Sequence, residues 1–202
     1  MGNYRRRMAG LRDRKKQQTH DALSEAAIAL FLERGFDEVS VADIAAAADV
    51  SKPTLFKYFA TKQDLALHRF ADHAQEAARV VLASSADPVE ALRDHFLAGL
   101  KRRDPVTGLN DHPEVLAFYR LVFGTPALAT RLHQFIAADQ AALAEALGNG
   151  LAGELQAADL ISTQQVLSRR NFAALTAGIT ADAQYPTAVA EAKLAYRRLT
   201  RT

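Results

Sequence analysis

The apolar residues of this chain recur at helical spacing from residue 19 onward. In residues 19–34 they fall on one stripe, formed by Leu23, Ala26, Ala27, Leu30 and Phe31. A stripe of that period predicts an amphipathic helix with one buried face. Thr19 is expected to cap the start of this helix, and Gly35 is expected to end it.

Two short helices are predicted next, each with its own N-terminal cap. Ser40 and Asp43 have the Ser-x-x-Asp spacing of a capping box, so a second helix is expected directly after Ser40. Ser51 is placed to cap a third helix after a short turn. Pro53 falls in the first turn of that helix, where a missing N–H costs nothing.

The third helix is predicted to have two different faces. Leu55 and Phe59 are four residues apart and are expected to enter the core together. Lys52, Lys57 and Tyr58 lie on the opposite face. Two short helices joined by a tight turn, with cations on the second, predict a helix-turn-helix, a motif that lays its second helix into the major groove of DNA.

The remaining apolar patterns predict helices to the end of the chain. Thr61 and Asp64 form a second capping box, which starts a long fourth helix ending near residue 83. Beyond it the pattern predicts a helix capped by Asp87-Pro88 and then a loop over residues 103–112. Two helices are predicted next, one over residues 113–123 and one from Thr125 to a break at Gly148-Asn-Gly150. A further helix is predicted over about 157–178, and a last helix after a turn at Tyr185-Pro186. Helices of this kind bury their stripes against one another, which predicts a bundle.

Together these elements predict an all-α fold with two domains. A three-helix helix-turn-helix DNA-binding domain over residues 19–66 follows a basic flexible arm over residues 1–18. The fourth helix links this domain to a larger helical domain over residues 67–202. The length of the chain is sufficient for such a division, since each part can bury a core.

Composition narrows the class of protein further. The 202 residues include no cysteine, which excludes disulfides, thiolate metal sites and cysteine nucleophiles. No apolar run approaches the ~18 residues that span a bilayer, so no membrane association is expected. The N-terminus is basic but lacks the apolar segment of a signal peptide. A cytoplasmic location is therefore predicted.

Positive charge is concentrated at the N-terminus. The whole chain carries a formal charge of +2, but residues 1–20 alone contain seven Lys and Arg residues and one Asp. A basic arm beside a small folded unit is typical of proteins that bind nucleic acid. The alternatives are a solvated tail without such a role, or an engineered leader.

Enzyme and metal motifs are not found. Gly148-Asn-Gly150 follows a predicted helix and not a strand, so it is a turn and not a phosphate-binding loop. No serine stands in a nucleophile elbow. His68, Asp72 and His73 form a partial set of metal ligands, but ligands at helical spacing occur often by chance. The sequence therefore predicts no enzymatic activity, no cofactor and no metal site.

The helix-turn-helix region resembles a known family. The stretch VSVADIAAAADVSKPTLFKYFATKQDL, within residues 19–68, is similar to the DNA-binding domain of the TetR family of bacterial transcriptional regulators. The resemblance depends on the phrase Leu55-Phe56-x-Tyr58-Phe59 followed by Lys62, set between two capped helices. It covers about a quarter of the chain.

This resemblance implies a set of DNA-binding residues, which are Ser40, Ser51, Lys52, Pro53, Thr54, Phe56, Lys57, Tyr58 and Lys62. Lys52, Pro53 and Thr54 match positions that reach base edges, and Lys62 matches a phosphate contact. Phe56 departs from the family, in which many members have tyrosine. A hydroxyl contact to phosphate is absent there, and packing is the alternative role for Phe56.

The resemblance also implies a function for the second domain. In the TetR family this region binds a small molecule in its interior and forms a dimer through its last two long helices. Ala173, Ala174, Ala177 and Gly178 would suit close packing of such helices, or an ordinary core. The candidate ligand-binding residues are His95, Phe118, Tyr119, Arg120, Phe123, Phe135, Arg169, Asn171 and Phe172.

The expected function is that of a ligand-responsive transcriptional regulator. The implied partners are double-stranded DNA, a second copy of the chain and a small-molecule effector of unknown identity. The expected form is a dimeric repressor that a small molecule releases from a near-palindromic operator. Two alternatives remain: a DNA-binding regulator or architectural protein without a ligand, and a helical module that binds another protein.

Overall fold

The computed structural model describes residues 2–71, 73–148 and 150–200, and the regular elements within these ranges are all helical. The helices are α1 (Gly2–Arg34), α2 (Val41–Ala47), α3 (Lys52–Leu55), α4 (Lys62–Ala71), α5 (Glu76–Ala83), α6 (Pro88–Arg102), α7 (Pro113–Gly124), α8 (Pro126–Ala146), α9 (Gly150–Thr176) and α10 (Ala181–Leu199). A 3₁₀ turn, Pro105–Thr107, follows α6. The predicted all-α class is confirmed. Within the described ranges, no helix has the length and apolar character needed to cross a bilayer.

The chain divides into two compact units. The first unit contains residues 1–69 and 120–131, and the second contains residues 70–119 and 132–202. The inclusion of residues 120–131 in the first unit was not expected from the pattern of apolar residues. The functional domains assigned to residues 19–66 and 67–202 remain a prediction.

The core of the first unit joins α1 to the next three helices. The predicted stripe of α1 is confirmed at Leu23, Ala27 and Phe31, which are all buried. The Phe31 and Phe36 rings lie 5.0 Å apart, so the chain folds back after α1. Gly35 ends the helix with a φ of +89°, a conformation that glycine adopts without strain.

The start of α1 differs from the prediction. The helix begins at Gly2, so residues 2–18 are helical and continue into the predicted first helix. The division of the chain at residue 18 remains a prediction. Thr19 is not a cap, because its Oγ1 donates to the Lys15 carbonyl at 3.0 Å inside the helix. The residues before it are mostly arginine, lysine and glutamine, which favour helix. The side chains of Arg5, Arg6, Arg7 and Arg12 lie outside the described residues.

The predicted long fourth helix is in fact two helices, α4 and α5. Gln75 has a φ of +58°, which breaks the helix between them. Its backbone N–H donates to Asp139 Oδ1 at 2.8 Å, so a side chain from α8 satisfies the donor released by the break. Burial raises the pKa of the Asp139 carboxyl group, and the Gln75 hydrogen bond opposes that shift.

Two boundaries in the second unit also differ from the prediction. Helix α9 begins at Gly150, several residues earlier than expected. Helix α10 begins at Ala181, because Thr180 Oγ1 caps it by accepting the Ala183 N–H at 3.2 Å. Pro186 therefore lies inside α10 and does not mark a turn. The proline removes one helical donor, while the Thr180 cap and the packing of α10 hold the helix.

The core of the second unit is built from α6, α9 and α10. The predicted inward residues of α6, Leu92, Phe96 and Leu100, are buried. Two side chains of α9 bind the 3₁₀ turn: Ser168 Oγ donates to the Val106 carbonyl at 2.8 Å, and Asn171 Nδ2 donates to the Thr107 carbonyl at 2.9 Å. The turn is therefore fixed against α9.

A carboxylate between two histidines opens α5. Glu76 Oε2 lies 2.8 Å from His73 Nδ1, and Glu76 Oε1 lies 3.4 Å from His95 Nε2. These hydrogen bonds, from His73 first and then His95, hold the pKa of Glu76 well below its usual value of 4.5. His95, predicted to bind a ligand, is thus part of this cluster.

The Glu76 cluster predicts a loss of stability in acid. The folded chain keeps the carboxylate charged where the unfolded chain binds a proton, so the stabilisation is present above pH 4.5 and is lost as the pH falls below it. Equilibrium unfolding in urea between about pH 5 and about pH 3 should show a shallower decline for Glu76→Gln than for wild type. Glu154→Gln, on an exposed residue, should follow wild type. Parallel declines in all three proteins would contradict the prediction.

Candidate nucleic-acid interface

The predicted capping box at the start of α2 is confirmed. Ser40 Oγ accepts the Asp43 N–H at 3.1 Å, and Asp43 Oδ2 accepts the Ser40 N–H at 2.8 Å. The hydrogen bonds from Ser40 lower the pKa of the Asp43 carboxyl group. The Asp43 carboxylate therefore already occupies the N-terminus of this helix. A DNA phosphate that approached Ser40 would be repelled by its negative charge.

A tight turn joins α2 to α3. Asp49 takes a φ of +52°, a left-handed conformation that aspartate tolerates better than most residues. Ser51 caps α3 as predicted: its Oγ accepts the Thr54 N–H at 3.3 Å and lies 2.8 Å from Thr54 Oγ1. Pro53 occupies the first turn. The motif is a helix-turn-helix whose second helix is short.

We call residues 52–58 the recognition segment, since they comprise α3 and the turn that follows it. Leu55 is completely buried and Phe59, just beyond the segment, is nearly so. Lys52, Pro53 and Lys57 are exposed on the other side. The predicted division between a core face and a cationic face is therefore present. Such a face can neutralise phosphates and reach base edges.

The two aromatic residues of the recognition segment differ in burial. Phe56 is 46% exposed, so it is not part of the core. Tyr58 is half-buried beside the buried Phe59. Thr54 is also half-buried, and its hydroxyl is engaged with the Ser51 cap. Phe56 is therefore the large apolar side chain that this segment presents to solvent.

Lys62 rests on the aromatic pair of the first unit. Its Nζ lies 4.3 Å from the centroid of the Phe36 ring and 5.7 Å from that of Phe31. These cation–π contacts hold the ammonium at the first turn of α4. The role of Lys62 as a phosphate contact remains a prediction. To contact a phosphate, the Lys62 ammonium would have to move away from the two rings.

Asp64 has two roles in the first unit. It completes the predicted capping box with Thr61, since each backbone N–H donates to the other side chain at 3.1 Å. Its Oδ1 also accepts Arg131 Nε, on α8, at 2.8 Å. No local pattern predicts this ion pair, because its partners are 67 positions apart along the chain.

The candidate ligand-binding residues are only partly brought together. Phe118 and Tyr119 are buried, and the Tyr119 and Phe172 rings lie 5.4 Å apart in an edge-to-face arrangement. Asn171 is buried with its amide bound to the 3₁₀ turn, and Phe135 is half-buried. Three of the candidate residues are exposed: Arg120, Phe123 and Arg169. Their role as ligand contacts remains a prediction.

The polar tip of Tyr119 is also engaged. Its hydroxyl donates to the Pro105 carbonyl, and burial raises the pKa of the phenol. The aromatic residues Phe70, Phe118, Tyr119 and Phe172 therefore form one cluster in the second unit, which we call the aromatic cluster.

The helix-turn-helix geometry has a counterpart among known families. Residues 23–68 match the family model described as "Bacterial regulatory proteins, tetR family", a range that includes both short helices and the recognition segment. The matched range is the helix-turn-helix region, which is therefore similar to the DNA-binding part of TetR-family regulators. The chain is 38% identical over 122 residues to the HTH-type transcriptional regulator TcmR of Streptomyces glaucescens, covering 59% of this chain and 54% of that protein.

A second relative is the HTH-type transcriptional repressor KstR2 of Mycobacterium tuberculosis. The identity is 34% over 82 residues, covering 39% of this chain and 41% of KstR2. The chain spans about half or less of the length of these relatives. They are named as transcriptional regulators, and the name of KstR2 specifies a repressor.

Solved structures support the fold over nearly the whole chain. A TetR-family regulator from Streptomyces coelicolor has a TM-score of 0.60 at 22% identity and covers 91% of this chain and 96% of its own. NalD, the secondary repressor of the MexAB-OprM multidrug efflux pump in Pseudomonas aeruginosa, has a TM-score of 0.57 at 18% identity, covering 90% of this chain and 97% of its own. At these identities the likeness concerns the fold alone.

Proposed function

We propose that this chain is a ligand-responsive transcriptional regulator that acts as a dimeric repressor on a near-palindromic operator. The observation that carries the proposal is the exposed cationic face of the recognition segment, opposite the buried Leu55 and Phe59. A face of this kind, held by caps on both short helices, is suited to the major groove. The repressor named among the relatives supports the direction of regulation.

The first experiment is selection of binding sites from random double-stranded DNA. The full chain should enrich a near-palindrome whose half-sites lie one helical turn apart, about 34–36 Å. A Lys52→Ala, Tyr58→Ala double variant should lose the enrichment while keeping its helical content. Equal enrichment by the variant would remove these residues from base recognition. No enrichment by wild type, before and after refolding to strip bound molecules, would overturn DNA binding.

Salt dependence separates phosphate contacts from other roles. If Lys57 neutralises one phosphate, Lys57→Ala should lower the slope of log affinity against log salt by about 0.9. Lys101→Ala, on an exposed lysine of α6 in the second unit, is the matched control and should leave the slope unchanged. Fluorescence anisotropy with the selected site at several salt concentrations gives both slopes. An unchanged slope in Lys57→Ala would contradict the assignment.

An apolar stripe on α9 supports the proposed dimer, and α10 also carries an exposed leucine. Leu151, Leu155 and Val166 are exposed at 73%, 58% and 52% on α9. Their spacing and that of Ala173 place them within one quadrant of the helix. Leu194 on α10 is 64% exposed. Exposed apolar side chains in such a row are typical of an interface between copies.

The dimer is tested by placing charge on this stripe and on Leu194. A Leu155→Asp, Leu194→Asp double variant should reduce the mass in solution from twice the 22.0 kDa of the chain to that of a single copy, because two desolvated carboxylates oppose association. Leu82→Asp, at a residue 71% exposed on α5, is the control and should leave the mass unchanged. Analytical ultracentrifugation reports the mass. A double variant that stays dimeric would place the interface elsewhere.

The aromatic cluster supports an apolar effector. Two polar groups beside it, the Tyr119 hydroxyl and the Asn171 amide, already bind backbone carbonyls. An apolar effector that binds among these rings would replace some of their contacts with one another. It would therefore stabilise one conformation of the second unit relative to another. A coupling free energy of about 1–3 kcal/mol between effector and DNA would then release the operator.

A further inference from the structure

Three potential metal ligands come together in the first unit. His20 and Asp21 lie near the middle of α1, and His68 lies on α4. The ligand atoms of the three side chains are all within 4.8 Å of one another. His20 Nδ1 is 3.4 Å from Asp21 Oδ1, and the two imidazole rings meet edge to face with centroids 4.7 Å apart.

These distances approach those of a bound ion. Zinc–nitrogen bonds of about 2.0–2.1 Å and zinc–oxygen bonds of about 2.0–2.2 Å in a tetrahedron place two ligand atoms about 3.4 Å apart. His20 and Asp21 already have this separation. The His68 nitrogen lies within 4.8 Å of the other ligand atoms, so it needs to approach by up to about 1.4 Å, which a rotation of its side chain supplies. Little reorganisation is therefore needed.

The surroundings also suit a metal. Gln17 Nε2 donates to Asp21 Oδ1 at 2.8 Å, which orients the carboxylate in the manner of an outer-shell partner. Phe59 stacks on His20 at 4.5 Å and packs against the edge of His68 at 6.2 Å. The side chains of His20 and Asp21 are 27% and 46% exposed, so an ion has access from solvent.

We propose that His20, Asp21 and His68 form a binding site for a divalent ion of the zinc type. Two imidazoles and one carboxylate favour zinc, copper(II), nickel or cobalt over calcium or magnesium, which prefer oxygen ligands. Water completes the fourth position. The ion joins α1 to α4 beside Phe59, directly after the recognition segment. Binding of the ion does not depend on the proposed regulatory function.

Cobalt(II) is the probe for this site, because four-coordinate cobalt(II) absorbs visible light. The untagged full chain, treated with chelator and dialysed, is titrated with cobalt(II) and then with zinc. The chain has no cysteine, so the bands report nitrogen and oxygen ligands. Wild type should develop visible bands that zinc removes, and zinc should raise its melting temperature.

Variants assign the site to these three residues. His20→Gln, His68→Gln and Asp21→Asn should each weaken zinc binding at least tenfold and abolish the rise in melting temperature. His112→Gln, outside the cluster, should bind as wild type does. Circular dichroism in chelator checks that each variant folds. If a histidine variant unfolds, Asp21→Asn decides, because its side chain is partly exposed and nearly unchanged in shape.

Two results would overturn the proposal. The first is the absence of cobalt bands and of zinc binding in wild type. The second is zinc binding of equal strength in wild type and in the folded variants of the cluster, which would place the metal on other surface groups. DNA binding is tested separately by the selection experiment described above, so failure of the proposed function and failure of the metal site are distinguishable.

Discussion

Replacing Leu55 with alanine should destabilise the first unit by about 2–5 kcal/mol, the range for a buried leucine that leaves a cavity. Leu55 has no exposed surface and anchors the recognition segment to the core. Folded proteins typically have a free energy of unfolding of roughly 5–15 kcal/mol, so this loss is a large share of the total free energy of unfolding. Urea unfolding followed by circular dichroism measures it, and affinity for DNA should fall with it.

The adjacent residue provides the matched control. Phe56 is 46% exposed, so Phe56→Ala should change the free energy of unfolding by only about 0.5 kcal/mol. Any effect of Phe56→Ala on DNA affinity would then reflect contact with DNA and not loss of fold. Similar destabilisation by the two substitutions would mean that the recognition segment packs on its other face.

Replacing Gly108 with alanine should destabilise the second unit by about 3 kcal/mol or more. Gly108 follows the 3₁₀ turn with a φ of +71°, and a Cβ there would lie 2.0 Å from the Ser168 carbonyl oxygen. That oxygen belongs to the backbone of α9 and cannot rotate away. The strain of the left-handed conformation, about 1–2 kcal/mol, adds to the cost of the overlap. Thermal unfolding of the full chain measures the effect.

Substitution of Gly148 separates the cost of backbone strain from the cost of steric overlap. Its φ is +101°, but among the described residues, its chain neighbours apart, no atom lies within 4 Å of the position of an added Cβ. Gly148→Ala should therefore show the conformational cost alone, about 1–3 kcal/mol. If both glycine variants unfold at the same temperature, the overlap with the Ser168 carbonyl oxygen adds nothing to the destabilisation. That result would contradict the prediction for Gly108→Ala.

Local signals explain which elements of the fold could be predicted. The caps at Ser40, Ser51 and Thr61 each depend on residues within one turn of helix, so the sequence contains all the information needed. The break before α5 depends instead on Asp139, 64 positions from Gln75. No glycine or proline marks that break in the sequence.

Long-range contacts also explain what was missed in the candidate sites. The exposed face of the recognition segment follows from helical period and was foreseen at Lys52 and Lys57. The meeting of His20 with His68 requires α1 and α4 to pack together, which no local pattern specifies. The exposure of Phe123 could not be predicted for the same reason, since exposure depends on the packing of the whole unit.

The two faces of the recognition segment have a consequence for evolution. Core residues such as Leu55 fix the backbone, whereas Lys52, Phe56 and Lys57 face outward. Substitutions at outward positions cost little folding free energy. Under the proposed function, the lineage of this protein can change its preferred DNA sequence through these outward positions while the scaffold remains intact. New DNA targets would then be acquired by mutation without an intermediate that fails to fold.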